Sequence, residues 1–399
     1  MQPFPRTFPR AFFACALPVL VFASGLAGCR KAVAPPPKAV KQAPPRISDA
    51  DLAKWKPNEA GAIMVLMYHR IRDGEASGEL NRPPAEFKRD LETLLKNNYY
   101  PVNASDIVEN KLDVPAGKTP VALTFDDSLP TQFRIVTGRD GKPHIDPNCA
   151  VGIMESFSKA HPKEWPTRAT FFVLPKEGRN GEPFGEADSV GDKFAYLIDK
   201  GYEIANHTST HSSLRSMKAD KIQWELATAR RAITKMLPPE EKHGTAPMQI
   251  LALPYGKLPR DKTAQAALMQ GTNGGTSYRH RAVFLAAWRP ILSPVTRNDK
   301  KFTDAGQMCP FDPQRLERVK PDAKNADEPG TFEYWMKWFQ KNPSSRYISD
   351  GNPKVSAIPV ARQSSVDALR VEASGQILQA YGGGASSKGK GGTGSLSVE

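Results

Sequence analysis

The chain has 399 residues, and 55 Lys and Arg against 42 Asp and Glu give it a formal net charge of +13 at pH 7. The basic residues are dispersed and no recognisable nucleic-acid motif accompanies them, so we expect no nucleic-acid partner. The surplus charge suits either an ordinary solvated surface or attraction to an anionic envelope polymer or lipid surface.

Residues 1–28 have the features of a secretory signal peptide. Arg6 and Arg10 precede the apolar run AFFACALPVLVFASGLAG, which is short for a membrane-spanning helix. The run ends in LAGC, which resembles the lipobox of bacterial lipoproteins; the alternative is an ordinary signal peptide with a chance cysteine. The resemblance implies an exported protein anchored to the bacterial envelope by lipid on Cys29. Arg30 is not the aspartate of an inner-membrane retention signal, which favours the outer membrane where the cell has one.

Composition divides the remaining chain into three parts. We expect residues 29–60 to form a lipid-anchored, Pro- and Lys-rich linker and residues 361–399 to form a disordered, Gly/Ser-rich tail. Between them, residues 61–360 are enough for one large domain. This domain contains Cys149 and Cys309, and export favours a disulfide between them, although nothing in the sequence determines their distance.

Short apolar runs alternate with helical patterns along the domain. Continuous apolar character is typical of strands covered on both faces, and apolar residues three or four apart indicate the buried face of a helix. The alternation predicts an α/β fold with a parallel sheet, either open or closed into a barrel. Turn signals in residues 129–166 predict an inserted hairpin and loop. The predicted strands are residues 62–68, 120–125, 169–174, 202–206, 248–253 and 282–288, and the predicted helical faces are Phe87, Leu91, Leu94 and Leu95; Phe194, Leu197 and Ile198; Ile222, Leu226, Ile233 and Leu237; and Phe332, Trp335, Met336 and Phe339.

Polar residues follow two of these strands and carry the chemistry of a metal site. Asp126 and Asp127 end one strand, and two adjacent carboxylates need a compensating cation or proton when they are partly buried. His207 and His211 follow another strand, and their spacing places both rings on one face if the segment is helical. One carboxylate and two imidazoles form a three-ligand set with an open position, typical of catalytic zinc sites.

Several motifs together resemble the polysaccharide deacetylases of carbohydrate esterase family 4, the NodB-like hydrolases. TFDDS (124–128), HTSTH (207–211) and LPYG (253–256) are similar to the first three motifs of that family. MYHRI, ATFF and FDPQRLERV are further phrases of this kind, and the resemblance spans roughly residues 62–320. It implies a distorted (β/α) barrel that removes acetyl groups from N-acetylated sugars with a divalent metal, Zn²⁺ being the first choice.

The resemblance also implies roles for individual residues. Asp127, His207 and His211 would be the metal ligands, Asp126 the general base, and the backbone N–H of Tyr255 a donor to the oxyanion. Thr208 or Ser209 would orient the ligands.

This sequence departs from the family pattern at three positions. The arginine that usually orients the base is replaced by Ala252, and Ser128 stands where glycine is common. The late Leu-x-His motif that supplies the general acid is missing, which leaves His69 as the first candidate and His280 as the second. Trp288 could line an acetyl pocket, although core packing is the simpler interpretation.

The sequence therefore predicts a lipid-anchored, metal-dependent deacetylase of an envelope or extracellular glycan. The early Tyr-His phrase and the missing arginine are similar to the poly-N-acetylglucosamine deacetylase branch. Two alternatives stay open: a noncatalytic glycan-binding lipoprotein of the same fold, and an O-acetyl esterase, whose leaving group needs less protonation. The sequence does not indicate an oligomeric state.

Overall fold

The computed structural model describes residues 45–73, 80–175, 182–185, 189–237, 248–299, 301, 306–321 and 328–382. The predicted signal peptide with its lipobox, residues 29–44 of the predicted spacer and residues 383–399 of the predicted tail lie outside the described residues. In the described part of the chain, no helix combines the length and the apolar character needed to span a bilayer.

An eight-stranded sheet forms the centre of the domain. Its strand order is β13-β10-β9-β8-β5-β1-β14, with β4 also paired to β5, and every pair is parallel except β1 with β14. The strands are β1 Ala62–Tyr68, β2 Arg70–Ile71, β3 Asn81–Arg82, β4 Tyr99–Val102, β5 Thr119–Asp126, β6 Ile135–Thr137, β7 Pro143–Ile145, β8 Thr170–Val173, β9 Glu203–Asn206, β10 Ile250–Ala252, β11 Gln270–Asn273, β12 Thr276–Arg279, β13 Ala282–Phe284, β14 Ile291–Leu292, β15 Val355–Pro359 and β16 Ile377–Tyr381.

Residues 316–319 cross the gap between the two sides of this sheet. On the β13 side, the Leu316 N–H donates to the Val283 carbonyl at 2.9 Å. On the β1 side, the Val319 N–H donates to the Val65 carbonyl at 2.7 Å, and its own carbonyl accepts from the Met67 N–H at 2.9 Å. The sheet is thereby curled into a distorted barrel, and the predicted fold class is confirmed.

Alternation along the strands separates an inner from an outer face. In β1, Met64 and Leu66 belong to the outer apolar cluster, which packs under the helices, whereas Ile63 and Val65 belong to the inner one. Because side chains alternate across a strand, Ala122 of the inner cluster places Thr124 and Asp126 on the same inner face of β5. The barrel interior therefore presents a carboxylate at the end of β5.

Helices cover the outside of the sheet, and those predicted from apolar spacing are present. Helix α2 begins with proline in its first turn and buries Phe87, Leu91 and Leu94, and α5 ends shortly before Gly201, whose φ is +89°. The aromatic stripe of α8 is buried, which confirms that it packs in the core. The helices are α1 Asp49–Trp55, α2 Pro84–Lys96, α3 Ala104–Val108, α4 Ala150–Ala160, α5 Val190–Asp199, α6 Ala219–Met236, α7 Lys262–Met269, α8 Phe332–Lys341 and α9 Ala368–Ala373.

The structure corrects several expectations about segments. The inserted hairpin is present as β6 and β7, but the rest of the predicted loop contains α4. The strand predicted over 282–288 ends at Phe284, because the chain then turns to Trp288, whose φ is +72°. The predicted disulfide is wrong: Cys149 and Cys309 are both free, and they pack in the outer and inner clusters respectively.

Both predicted ends of the domain are also wrong. The spacer does not reach residue 60, because α1 and a turn occupy residues 49–60. The tail does not begin at residue 361, because α9 and β16 follow, and β16 pairs in parallel with β15. Val366 and Val371 then pack on Ala60 and Val295. These apolar residues are separated from their partners in sequence, so composition alone placed the boundaries too far inside.

A buried polar cluster stands before β1, at the end of the barrel opposite the carboxyl ends of the strands. Glu59 is 4% exposed, and its Oε1 accepts from the Asp350 N–H at 3.2 Å. Burial raises the pKa of Glu59 well above its ordinary value of 4.5, and the charge of Asp350 raises that pKa further. The folded protein therefore retains a proton on Glu59 at a pH at which the unfolded chain has released it.

This retained proton makes stability depend on pH. The contribution of Glu59 is fully present below pH 4.5 and is lost as the pH rises through the raised pKa of the folded state. We expect the Glu59→Gln variant to lose less stability than the wild type between about pH 5 and about pH 8 in urea unfolding. The exposed control Glu372→Gln should keep the wild-type slope, and equal slopes in all three proteins would contradict this assignment.

Candidate metal and catalytic site

Three parallel strands deliver the candidate residues to one end of the barrel. Strand β5 ends at Asp126, β9 ends immediately before His207, and β10 ends at Ala252. Asp127, His207 and His211 converge there: Asp127 Oδ1 lies 3.3 Å from His207 Nε2 and 3.2 Å from His211 Nε2. One ligand atom from each residue lies within 4.8 Å of the other two. The predicted ligand set is therefore assembled.

The donor atoms fit a divalent cation. His207 Nδ1 lies 3.0 Å from the Ala252 carbonyl, which can only accept, so Nδ1 carries the proton and Nε2 offers its lone pair. Among the described residues, neither His207 Nε2 nor Asp127 Oδ1 has a hydrogen-bond partner, although both atoms are buried. Buried acceptors that face one another need a positive charge between them. The two imidazoles and one carboxylate suit Zn²⁺ and similar ions.

The pKa shifts of His207 and Asp127 also indicate that a positive charge is needed between them. Burial lowers the pKa of His207, but the charges of Asp126 and Asp127 outweigh burial and raise it overall. Burial raises the pKa of Asp127, but the two adjacent histidines outweigh burial and lower it well below its usual range. The site therefore favours an ionised carboxylate with a positive charge beside it.

Backbone strain accompanies the ligands. Positive φ angles occur at Asp127 (75°), Ser128 (47°), Thr208 (71°), His211 (55°) and Tyr255 (59°). Such angles are uncommon for residues other than glycine, cost on the order of 1–3 kcal/mol each and cluster at functional sites. The angle at Ser128 gives a physical reason for glycine to be common there. The spacing rule assumes a helix between the two histidines, but residues 207–213 are not helical. His207 and His211 therefore meet through a turn.

Helix α6 holds this histidine turn in place. Glu225 is buried, and its Oε2 accepts from the backbone N–H groups of Ser209 at 3.1 Å and Thr210 at 3.0 Å, while its Oε1 accepts from Thr210 Oγ1 at 2.6 Å. Within the turn, Thr208 Oγ1 accepts from the His211 N–H at 3.2 Å. Thr208 therefore contacts the candidate ligand His211 directly, whereas Ser209 is fixed through its backbone.

Asn206 and His280 support the other side of the turn. His280 Nδ1 lies 2.7 Å from the Leu268 carbonyl, so Nδ1 is the donor and Nε2 accepts from Asn206 Nδ2 at 3.1 Å. Asn206 Oδ1 then accepts from the Thr208 N–H at 2.9 Å. Burial lowers the pKa of His280 to about 4, which keeps its ring neutral. Because both of its ring nitrogens are engaged, His280 is not the general acid.

Arg318 holds the candidate base. Its Nη1 lies 2.6 Å from Asp126 Oδ1 and its Nη2 lies 2.7 Å from Asp126 Oδ2, and Nη1 also donates to Thr124 Oγ1 at 3.2 Å. Arg318 has no exposed surface. The guanidinium that the sequence lacks at Ala252 is thus supplied by the closing segment of the barrel.

This arginine sets the charge state of Asp126. Burial by itself raises the pKa of that carboxyl, but the charge of Arg318, followed by that of His207, outweighs burial and lowers it. Asp126 is therefore ionised at neutral pH and able to accept a proton. Its two oxygens are fixed by a bidentate pair, which also fixes the direction of the carboxylate.

His69 lies at the same end of the barrel as Asp126. It follows β1, and its Nε2 is 3.8 Å from Asp126 Oδ2, with 12% of its side chain exposed. Burial lowers the pKa of His69 and is only partly opposed by Asp126 and Asp127, so the ring is neutral at neutral pH. Of the two candidate acids, His69 is the one that lies beside Asp126.

Two aromatic residues with positive φ, Tyr255 and Trp288, contact residues of the site. Tyr255 is 55% exposed, and its ring centroid lies 5.1 Å from that of His211. Trp288 donates its N–H to the Arg318 carbonyl at 2.9 Å, and its own carbonyl accepts from Trp335 Nε1 at 2.9 Å. Trp288 therefore fixes the backbone of Arg318, and core packing of α8 fixes Trp288.

Comparison with known proteins adds one sequence match. Residues 162–273 match the family model for Polysaccharide deacetylase. The matched segment covers less than a third of the chain and includes His207, His211 and Tyr255, whereas Asp126 and Asp127 precede it. It supports a carbohydrate deacetylase, a hydrolase, in agreement with the predicted enzyme class. No curated protein matches the sequence of the chain.

Solved structures of deacetylases resemble the chain only distantly. The deacetylase PplD of Streptococcus pyogenes in complex with acetate is 17% identical, with a TM-score of 0.43, over 65% of this chain and 91% of that chain. A de-N-acetylase from Aggregatibacter actinomycetemcomitans is 15% identical, with a TM-score of 0.39, over 66% and 96%. IcaB from Ammonifex degensii is 15% identical, with a TM-score of 0.36, over 65% and 91%. Likeness at this level says nothing by itself about activity.

Replacing Arg318 tests its control of Asp126. In Arg318→Met, burial is no longer opposed by the guanidinium, so the pKa of Asp126 should rise and the acidic limb of the pH profile of kcat/KM should move to higher pH. We expect at least about tenfold lower activity at neutral pH, with partial recovery at alkaline pH. The exposed Arg315→Gln is the control. An unshifted profile in a folded Arg318→Met protein would exclude this role.

Replacing His280 tests the support of the histidine turn. His280→Leu leaves the Asn206 amide without its acceptor, and we expect the affinity for Zn²⁺, measured by chelator competition, to fall by roughly 10- to 100-fold. His280→Gln, which can still accept, should recover part of that affinity. Unchanged zinc affinity together with a lowered melting temperature would show that His280 serves stability alone.

Proposed function

We propose that the protein is a metal-dependent hydrolase that removes N-acetyl groups from a polysaccharide of the cell envelope or the extracellular space. The observation that carries this proposal is the convergence of Asp127, His207 and His211 next to a second carboxylate, Asp126, that is held by a different positive charge. The sequence match to polysaccharide deacetylases supports the substrate class.

The reaction divides among these residues. A divalent ion held by Asp127, His207 and His211 would supply Lewis-acid activation of water and of the acetamide carbonyl. Asp126 is kept ionised by Arg318 and accepts the proton of the attacking water. The backbone N–H of Tyr255 donates to the oxyanion that forms as the carbonyl carbon becomes tetrahedral.

The departing amine needs a proton when the C–N bond breaks. His69 is neutral in the resting site and lies 3.8 Å from Asp126, so we propose that the proton taken by Asp126 passes to His69 and then to the amine. The products are acetate and a free amino sugar. This route supplies the step that the missing Leu-x-His motif would serve.

We also propose the place where the enzyme works. The lipobox-like LAGC would anchor the protein through Cys29, most suitably to the outer membrane, and the Pro-rich residues that follow would separate the domain from the bilayer. A net charge of +13 would favour contact with anionic envelope material. Radiolabelled palmitate on the wild type, and its absence from Cys29→Ala, would test the anchor.

The two carboxylates should fail in different ways when replaced. Asp127→Ala should lose the bound ion, measured as metal content per chain, because one of three ligands is gone. Asp126→Asn should keep the ion and lose at least about 100-fold in acetate release from an N-acetylated oligosaccharide. The exposed control Asp220→Asn should match the wild type.

Each contrary result selects another function. Intact turnover in Asp126→Asn would overturn the base assignment. Glycan binding without acetate release under several divalent ions would favour the noncatalytic alternative. Release from O-acetylated but not N-acetylated sugars would favour an esterase.

A further inference from the structure

A cleft of about 650 Å³ lies away from the metal ligands. It is lined by Arg230 of α6, Gln249, Arg279 of β12 and Arg281, among other residues. Gln249 precedes β10 and Arg281 precedes β13, so both stand at the amino ends of strands whose carboxyl ends face the metal cluster. The cleft and the catalytic site therefore open at opposite ends of these strands.

The cleft carries positive charge that the described residues neutralise only in part. None of the described residues that line it is acidic. Arg281 pairs with Glu109 at 2.6 Å outside the lining. Among the described residues, the one acceptor of the Arg279 guanidinium is the neutral Gln270, at 3.1 Å. Arg230 is half-buried, and we find no hydrogen bond or ion pair between it and any described residue. Guanidinium groups gathered in this way form a site for an oxyanion, which can accept from several of their N–H donors.

A second observation concerns an acceptor. Gln249 Oε1 is buried and has no hydrogen-bond partner among the residues that the structure describes. A fully deprotonated anion such as sulfate cannot satisfy it, because such an anion only accepts. The hydroxyl groups of Thr272 and Ser277, 2.9 Å apart, also line the cleft. A ligand that fits must therefore bring hydroxyl donors together with its negative charge.

We propose that this cleft is a second, noncatalytic site that binds an acidic saccharide. The carboxylate or phosphate of the sugar contacts Arg230 and Arg279, and a sugar hydroxyl donates to Gln249 Oε1. A volume of about 650 Å³ is within the range of small-ligand sites. The site would hold an anionic polymer at a distance from the metal cluster, which goes beyond the deacetylation proposed above.

Calorimetry on the full, metal-loaded chain tests this proposal. The probe is tetragalacturonate, which is acidic and has no acetyl group; maltotetraose is its neutral counterpart. We expect tetragalacturonate to bind at least about tenfold more tightly than maltotetraose, and more weakly as salt rises. Equal affinity for the two would overturn the proposal.

Variants locate the binding. The double variant Arg230→Gln/Arg279→Gln should lose at least about tenfold in affinity for tetragalacturonate, and Arg279→Gln alone, at an exposed position, should lose part of it. The matched control Arg89→Gln/Arg139→Gln removes two exposed arginines elsewhere and should change affinity less than about twofold. A similar loss in the control would show nonspecific attraction and overturn the site.

Two further comparisons separate a saccharide from a bare anion, and this cleft from the metal cluster. Gln249→Leu should weaken binding of tetragalacturonate but leave binding of inorganic sulfate unchanged; equal effects on both probes would refute the saccharide. His211→Ala should bind tetragalacturonate like the wild type, and a loss of affinity in this variant would place binding at the metal cluster instead.

Acetate release from a short N-acetylated oligosaccharide should be the same in Arg230→Gln/Arg279→Gln and the wild type. This proposal can therefore fail while the proposed function stands.

Discussion

The need to compensate two adjacent buried carboxylates governs the organisation of this protein. Asp126 ends β5 and Asp127 follows it, and if both faced a dry environment without positive charge, one of them would take up a proton. Arg318 neutralises Asp126 through two hydrogen bonds of 2.6 and 2.7 Å, and a cation between Asp127 and the two histidines would neutralise the other. Because a different positive charge neutralises each carboxylate, Asp126 is available as a base and Asp127 as a metal ligand.

The same segment, residues 316–319, closes the barrel and completes the site. The segment that hydrogen bonds to β13 and β1 carries Arg318 into the interior, so the barrel cannot close without bringing a guanidinium to Asp126. Trp288 and α8 then hold this segment from outside. The strained backbone at the ligands is retained because Glu225 and Asn206 accept hydrogen bonds from backbone N–H groups of the histidine turn. Stability of the surrounding barrel offsets the cost of that strain.

The sequence predicted the α/β class and the main strands and helices because their signals are local. Apolar runs mark buried strands, and apolar spacing marks the inner faces of α2, α5, α6 and α8, wherever each element packs. Elements whose stability comes from distant partners were missed. Strand β16 is short and partly exposed, and it forms because β15 is there to pair with it. Helix α4 was missed because turn signals elsewhere in residues 129–166 led us to predict a hairpin and loop.

For the site, the sequence by itself determined the chemistry of the ligands: a carboxylate pair and a histidine pair, each immediately after a buried strand that brings them to one end of a parallel sheet. Only the tertiary structure decided which charges surround them. Arg318 is 192 positions from Asp126, and His280 is 74 positions from Asn206. No local pattern connects such residues, because their contacts depend on how the sheet curls and where the closing segment crosses it. The same holds for the basic cleft, whose arginines come from a helix and a hairpin that meet only in the folded chain.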